Sequence, residues 1–455
     1  METNKSINPF TLEVLETHQR INSVDSLEKV NNAYHFSEIW SNTSLNERAH
    51  LFLKLAKELE DNKERFAKIA SLEMGKVIKQ AIAEIEKCAW VCRFYAENAS
   101  QFLVDEIIQT EAHKSYVTYQ PLGTILAIMP WNFPFYQVIR FLVPTLMAGN
   151  TALLKHASNV QLCAQALEKA FIKVGFNKGC FQNLNIDSEQ VEQLIENEKI
   201  TGVTLTGSEN AGRAIGALAG KNIKPSVLEL GGNDAYIILE DCDFDLTIEK
   251  CVTGRIQNNG QTCIAAKRFI VIEAIYDQFI SAFSAKMKQI KMGNPLNLET
   301  ELGPLARIDL RNDLHQQVQE SIQQGAQLIL GGAIPEKNGA FYPPTILIDV
   351  KPGILAFEEE LFGPVASIIK AKNEKEAIDL ANQSKFGLGS GVFTSDIARG
   401  ERIALQLKAG NSFVNTLTAS HPYLPFGGIK ASGYGRELAG DGLRTFTNKK
   451  TIYIQ

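Results

Sequence analysis

Cys263 stands in Gly260-Gln261-Thr262-Cys263, after a stretch that reads as the end of a helix and before an apolar strand. A thiol attacks a carbonyl as its thiolate, and a polar loop beside glycine can expose the sulfur and offer it backbone N–H groups. Taken alone, the residue reads as readily as a buried packing cysteine. Glu229 offers a base: it sits between Leu228 and Leu230, ahead of Gly231-Gly232, and apolar surroundings raise a carboxyl pKa toward neutrality. A structural carboxylate bridging a sheet is the alternative. Asn132 lies in Pro130-Trp131-Asn132-Phe133-Pro134, where two prolines fix the backbone. A rigidly held amide can donate to a developing oxyanion, although turn chemistry alone also accounts for it.

Three further features could hold an anionic cofactor. The loop Gly207-Ser208-Glu209-Asn210-Ala211-Gly212 follows a strand and opens a helix, so its free N–H groups suit a pyrophosphate. It has neither the Gly-x-Gly-x-x-Gly nor the Walker pattern. Lys155 ends another strand, where a cation could hold an adenosine ribose or a phosphate, or be a solvated lysine. Glu360 could be functional or one face of the charge run Glu358-Glu359-Glu360.

The elements that must position these residues follow from periodicity. Apolar residues recur at helical spacing from Leu45 to about Asn98, with a break near Gly75. Strands are predicted at 115–119, 124–129, 151–155, 179–184 and 202–206, and helices at 136–147, 161–174 and 189–197. Strands alternating with helices at this pace predict a parallel α/β sheet, which binds ligands beyond its strands' carboxyl ends. The rhythm restarts near Gly231 with a strand at 234–239, a helix at 246–257 and a strand at 268–272. Thr451 to Ile454 predicts an edge strand, which with the segment around Tyr116 could form an oligomerisation surface.

With 455 residues the chain exceeds what one core usually serves, so two or more lobes are expected. Net charge is −5 without a basic tract, which argues against nucleic acid. A polar start and the lack of any long uncharged apolar run argue against membrane spans and predict a cytoplasmic protein. The seven cysteines fit no disulfide framework and suit a reducing compartment. Cys88 and Cys92 fall at helical spacing among Ile85, Ala89, Trp90 and Phe94, which predicts packing rather than a metal site.

Read in order, these motifs resemble the aldehyde dehydrogenase superfamily from about residue 45 to the C-terminus. The pattern is completed by Glu359-Glu360-Leu361-Phe362-Gly363-Pro364 and by Pro425-Phe426-Gly427-Gly428-Ile429-Lys430 with Ser432-Gly433. The resemblance implies a Rossmann-type cofactor domain, an α/β catalytic domain and a small β oligomerisation extension. The implied boundaries are 1–110 with 125–231, then 232–428, with 111–124 and 440–455 as oligomerisation strands. It further implies that Cys263 forms a thiohemiacetal held by the Asn132 amide and the Cys263 N–H. Glu229 would activate water against the ensuing thioester. Trp131, Lys155, Ser158, Gly207, Ser208, Leu230, Glu360 and Phe362 would contact NAD or NADP, with Glu360 on the nicotinamide ribose. Arg140 and Phe426 would contact substrate. A homodimer or homotetramer is implied, and no metal.

Leu154-Lys155-His156-Ala157-Ser158-Asn159 resembles compact bacterial succinate-semialdehyde dehydrogenases, and Arg140 suits a carboxylate. A second arginine that such enzymes carry shortly before the cysteine is Gln257 here, and Arg255 would point elsewhere on a helix. Many NAD-preferring members have glutamate where Ser158 stands. Without that carboxylate a 2′-phosphate is not repelled, which predicts use of NADP. A thiol hydrolase without redox chemistry and a non-catalytic nucleotide-binding protein are the competing readings.

Overall fold

A computed structural model describes residues 2–455. Its first sheet runs, in spatial order, Gly433–Tyr434, Ser226–Glu229, Ile200–Thr206, Thr124–Met129, Thr151–His156, Phe181–Asn183. All neighbours are parallel except Gly433–Tyr434, which pairs antiparallel with Leu228 and Glu229. Thr124–Met129 is therefore central, and later strands add on both sides of it. Alternate residues serve two cores: Ile125 and Ala127 pack on one face, Leu126 on the other. That double burial explains the continuous apolar run. It also brings the carboxyl ends carrying Trp131-Asn132, Ser158, Gly207-Ser208 and Leu230 to one edge, at the switch point where such sheets bind ligands.

The second sheet has the order Gln327–Leu330, Thr345–Ile348, Val365–Ala371, Arg268–Ile272, Ala235–Ile238, Gly389–Phe393, Asn411–Val414. Only Gln327–Leu330 runs antiparallel. Cys263 lies just before the amino end of Arg268–Ile272, so the nucleophile enters from this lobe while Asn132 and Glu229 come from the other. A third sheet pairs Thr447–Ile454 with Lys114–Pro121, and the latter with Glu106–Ile107. The two segments named as oligomerisation strands thus pair with each other. Glu106–Ile107 joins them from outside the expected boundary, and Gly433–Tyr434 joins the first sheet from a stretch assigned to no domain.

The helical region resolves into Leu45–Asp61, Lys63–Met74 and Ile78–Phe102. Ser44 and Glu47 close a capping box at the first, and Gly75, at φ 76°, terminates the second. In Ile78–Phe102 the residues Ile85, Cys88, Ala89, Cys92 and Tyr95 are fully buried, and this face packs on Tyr136–Met147. Each large apolar side chain so buried contributes about 1.5–3 kcal/mol. The helix Tyr136–Met147 is buried throughout, which fixes Arg140 in the interior. A hairpin, Thr3–Ile7 with Val14–Gln19, and a helix, Ser23–Asn42, precede these elements. Val24, Leu27 and Ile39 of that helix face solvent while Val30, Ala33 and Trp40 are buried, so no clean apolar stripe announces it.

Candidate active site

The cysteine loop is held in an unfavourable backbone conformation by side chains from distant segments. Asn258, Asn259 and Gly260 all have positive φ, at 56°, 56° and 73°, which costs about 1–2 kcal/mol for each residue other than glycine. Asparagine is among the few residues that tolerate it. Asn258 Nδ2 donates to the carbonyls of Asn132, at 2.8 Å, and Gln261, at 3.0 Å. Asn259 Nδ2 donates to those of Gly75 and Pro304. Arg255, fully buried, donates to Gly260 O at 2.7 Å and Ala266 O at 2.9 Å. It therefore braces the loop. Lys267 Nζ donates to Thr262 O and, at 2.6 Å, to Cys263 O.

Asn132 joins this loop from the first sheet. Its Nδ2 donates to Gln261 O at 3.1 Å, leaving one amide hydrogen for a substrate oxygen, while its Oδ1 is buried without a partner. Two buried amides thus tie the nucleophile's loop to the proline-flanked turn. Glycine is required where Gly232 passes this loop, because a Cβ there would come 2.6 Å from Cys263 O.

Cys263 is partly exposed, but protein surrounds its sulfur closely enough that burial pushes the thiol up to about 12. Lys267 and Arg140 oppose the shift by their charge, whereas Glu360 and Glu229 add to it. The free protein therefore holds the nucleophile as a thiol. Glu229 is 2% exposed, both its oxygens lack hydrogen-bond partners, and burial holds its carboxyl well above the usual range. That is the direction its apolar strand predicts. A Cβ at Gly427 would lie 2.9 Å from Glu229 Oε1, so this glycine makes room for the carboxylate.

Arg140 is 2% exposed and forms an ion pair with buried Glu437. Burial works against its charge, but Glu437 and Glu229 outweigh that and keep its pKa raised. Its Nη2 is buried without a hydrogen-bond acceptor, and its guanidinium lies 4.8 Å from the Phe426 ring centre. Arg140, Phe426 and Cys263 line one cavity of about 230 Å3, at the small end for ligand pockets. Two carboxyls around one guanidinium cannot both be charged cheaply, so burial raises Glu437 as well as Glu229.

The expected cofactor residues ring the carboxyl edge of the first sheet. Ser208 caps helix Glu209–Lys221, its Oγ accepting from Ala211 N, and Gly207 N donates to Glu229 O at 2.9 Å. Trp131 meets Phe362 edge-on with centroids 5.7 Å apart. Leu230 is buried against Gly212, where a Cβ would clash with it. Lys155 is partly exposed, with a pKa lowered by burial and by Arg20, and Ser158 is exposed beside it. Glu360 Oε1 accepts from Gly232 N at 3.2 Å and pairs with Lys267 Nζ at 2.8 Å. A helix start, a lysine that forms no ion pair among the described residues and a partly exposed glutamate fit a dinucleotide of pyrophosphate and ribose.

Sequence reasoning did not single out Glu437, Lys267, Asn258 or Asn259. The Asn-Asn-Gly run is a turn signal that marks the last two. Glu437 and the Lys267–Glu360 pair carry no local signal, because Arg140 and Glu360, their ionic partners, lie far along the chain.

The aldehyde dehydrogenase family model matches residues 1–452. The chain is 45% identical over 452 residues to succinate-semialdehyde dehydrogenase (NADP+) 1 of Mycobacterium tuberculosis, covering 99% of each. It is 45% identical over 453 residues to the succinate-semialdehyde dehydrogenase (NADP+) of Mycobacterium avium, covering 99% of this chain and 96% of that one. Among solved structures, succinic semialdehyde dehydrogenase from Streptococcus pyogenes in complex with NADP+ matches with a TM-score of 0.98. Its identity is 38%, and the match covers 99% of both chains.

Proposed function

The chain belongs to the aldehyde dehydrogenase family, and from that premise we propose that it oxidises succinate semialdehyde to succinate, with NADP+ as the preferred cofactor and NAD+ as a usable one. The observation that carries the substrate is Arg140. A buried guanidinium whose Nη2 has no acceptor, in the cavity that holds the Cys263 thiol, suits an aldehyde with a carboxylate at its far end. The names of the mycobacterial relatives support the same choice.

The Cys263 thiol passes its proton to solvent water and its sulfur adds to the aldehyde carbon, while the carbonyl electron pair moves onto oxygen, where Asn132 Nδ2–H and the Cys263 N–H would receive it. A bound nicotinamide would supply the hydride acceptor for that carbon, and loss of the hydride would re-form the C=O bond as a thioester on Cys263. Glu229 then takes a proton from water, the hydroxide adds to the thioester carbon, and the C–S bond breaks to return the thiolate and release the acid. Gly207-Ser208 would hold the pyrophosphate, Lys155 and Ser158 the adenosine ribose with its 2′-phosphate, and Glu360 the nicotinamide ribose.

Initial rates on succinate semialdehyde, glutarate semialdehyde and butanal, with each cofactor at equal concentration, test this function. A kcat/KM for butanal equal to that for succinate semialdehyde would sink the substrate assignment. Absence of turnover with NADP+ would sink the cofactor assignment.

The reading includes assembly as a homodimer or homotetramer in the cytoplasm. Thr447–Ile454 is an edge strand with Tyr453 and Ile454 exposed, and Ile107 is exposed on the opposite edge of the same sheet, which supports pairing with a second copy. Seven free cysteines suit a reducing compartment. Light scattering in solution tests the assembly, and a monomeric mass would refute it.

A further inference from the structure

Lys87 is a cation for which the chemistry above has no use. It lies on helix Ile78–Phe102 and lines the same cavity as Cys263 and Arg140. Its Nζ donates to Ser420 Oγ at 2.9 Å and sits 4.5 Å from the centre of the Tyr136 ring. Ser420 Oγ and Tyr136 Oη share a hydrogen bond of 2.8 Å. Among the described residues no carboxylate lies within ion-pair distance of Lys87.

The nearest acid on its own helix, Glu84, is already engaged. Glu84 Oε1 accepts from Phe135 N and Tyr136 N, each at 2.9 Å, and Oε2 pairs with Lys76. An ammonium has three donors. Ser420 takes one, and the Tyr136 ring covers one side. Burial, followed by the charge of Arg140, holds the Lys87 pKa down at about 8. Two cations facing one cavity raise each other's cost of charging, and an anion placed between them relieves it. Gln257, on the same wall, contributes only a neutral amide.

We propose that Lys87, oriented by Ser420 and Tyr136, is a second anion-binding arm of this cavity, holding the substrate's terminal carboxylate together with Arg140. The inference rests on the proposed function and deepens it: the substrate class becomes aldehydes whose far carboxylate is gripped from two helices, Ile78–Phe102 and Tyr136–Met147. A planar carboxylate has four lone-pair sites, enough to accept from both side chains at once.

The test is the ratio of kcat/KM for succinate semialdehyde to that for butanal, measured in the full-length protein with NADP+. Lys87→Met should lower this ratio at least about tenfold, mainly through a higher KM for the semialdehyde. Lys87→Arg should restore most of it, and Ser420→Ala should lower it by a smaller factor, an arm that survives if the methionine variant does not fold. A wild-type protein that discriminates while Lys87→Met and Ser420→Ala keep its ratio overturns the second arm and leaves the proposed function standing. A wild-type ratio near one overturns both.

Discussion

Lys267 and Glu360 form an ion pair at 2.8 Å, and the same ammonium donates to Cys263 O at 2.6 Å. One side chain thereby connects the nucleophile's loop to the glutamate proposed to grip the nicotinamide ribose. Lys267 is also the first of the charges that favour the Cys263 thiolate. Replacing it should therefore act on both the loop and the thiol.

In Lys267→Met the carbonyl of Cys263 loses its side-chain donor and that of Thr262 keeps only Ala265 N–H, at a cost of about 1–3 kcal/mol. The thiol pKa should rise further, so alkylation of Cys263 by iodoacetamide at pH 8 should slow roughly several-fold. Denaturant unfolding and the alkylation rate measure the two effects. An alkylation rate equal to that of the wild type would show that the lysine charge does not reach the sulfur.

Glu229→Gln separates the two half-reactions. The first turnover should still produce reduced nicotinamide as a burst, while the steady state slows by about 10^2 to 10^4. Because burial raises the Glu229 carboxyl, its basic form is lost as pH falls through that raised value. The wild-type steady-state rate should thus decline on the acid side at a pH above the ordinary carboxylate range. Rapid-mixing traces across pH decide it: a variant with no burst, or with an undiminished steady state, contradicts the role as base.

Asn132→Ala removes the amide proposed to receive the oxyanion, along with the hydrogen bond to Gln261 O. A fall in kcat of about 10^2 to 10^3 is expected. Steady-state kinetics with a thermal melt as control measure it, and a kcat within twofold of the wild type would eliminate the amide from the oxyanion site.

Ser158→Glu places a carboxylate beside Lys155, where a 2′-phosphate would sit. The kcat/KM with NADP+ should fall at least about tenfold, with a much smaller change for NAD+. Equal losses with both cofactors would remove Ser158 from the 2′-phosphate site.

Asp234, which is not among the reacting groups, provides a stability test. Burial raises its carboxyl from 3.8 to about 7, against the opposing charge of Lys267 and the Gly389 N–H. The native state then binds the proton more tightly than the unfolded chain. Its contribution to stability is complete below pH 4 and is lost as pH rises from 4 to 7, by up to about 1.4 kcal/mol per pH unit. Asp234→Asn keeps an oxygen for Gly389 N and should flatten this decline. Urea unfolding at pH 5 and pH 8 checks the sign; an unchanged difference between the two refutes it.

Local pattern determined a large share of this protein. The double-sided apolar run Thr124–Met129, the helices Tyr136–Met147 and Gln161–Val174, and the strand Arg268–Ile272 coincide with the predicted segments, because burial imposes a short repeat that the chain carries in its own residues. Cys263, Glu229 and Asn132 could be singled out for the same reason: a nucleophile, an acid and an amide each need an unusual neighbourhood, and glycines and prolines write it nearby. Tertiary structure alone decided the partners. Arg140 pairs with Glu437, Lys267 with Glu360, Asn258 with Asn132, and Gly433–Tyr434 extends a sheet begun near Thr124. These contacts join segments far apart in the chain, where no repeat links one partner to the other. Their energies come from desolvation and distance in the folded molecule, which a linear sequence does not contain.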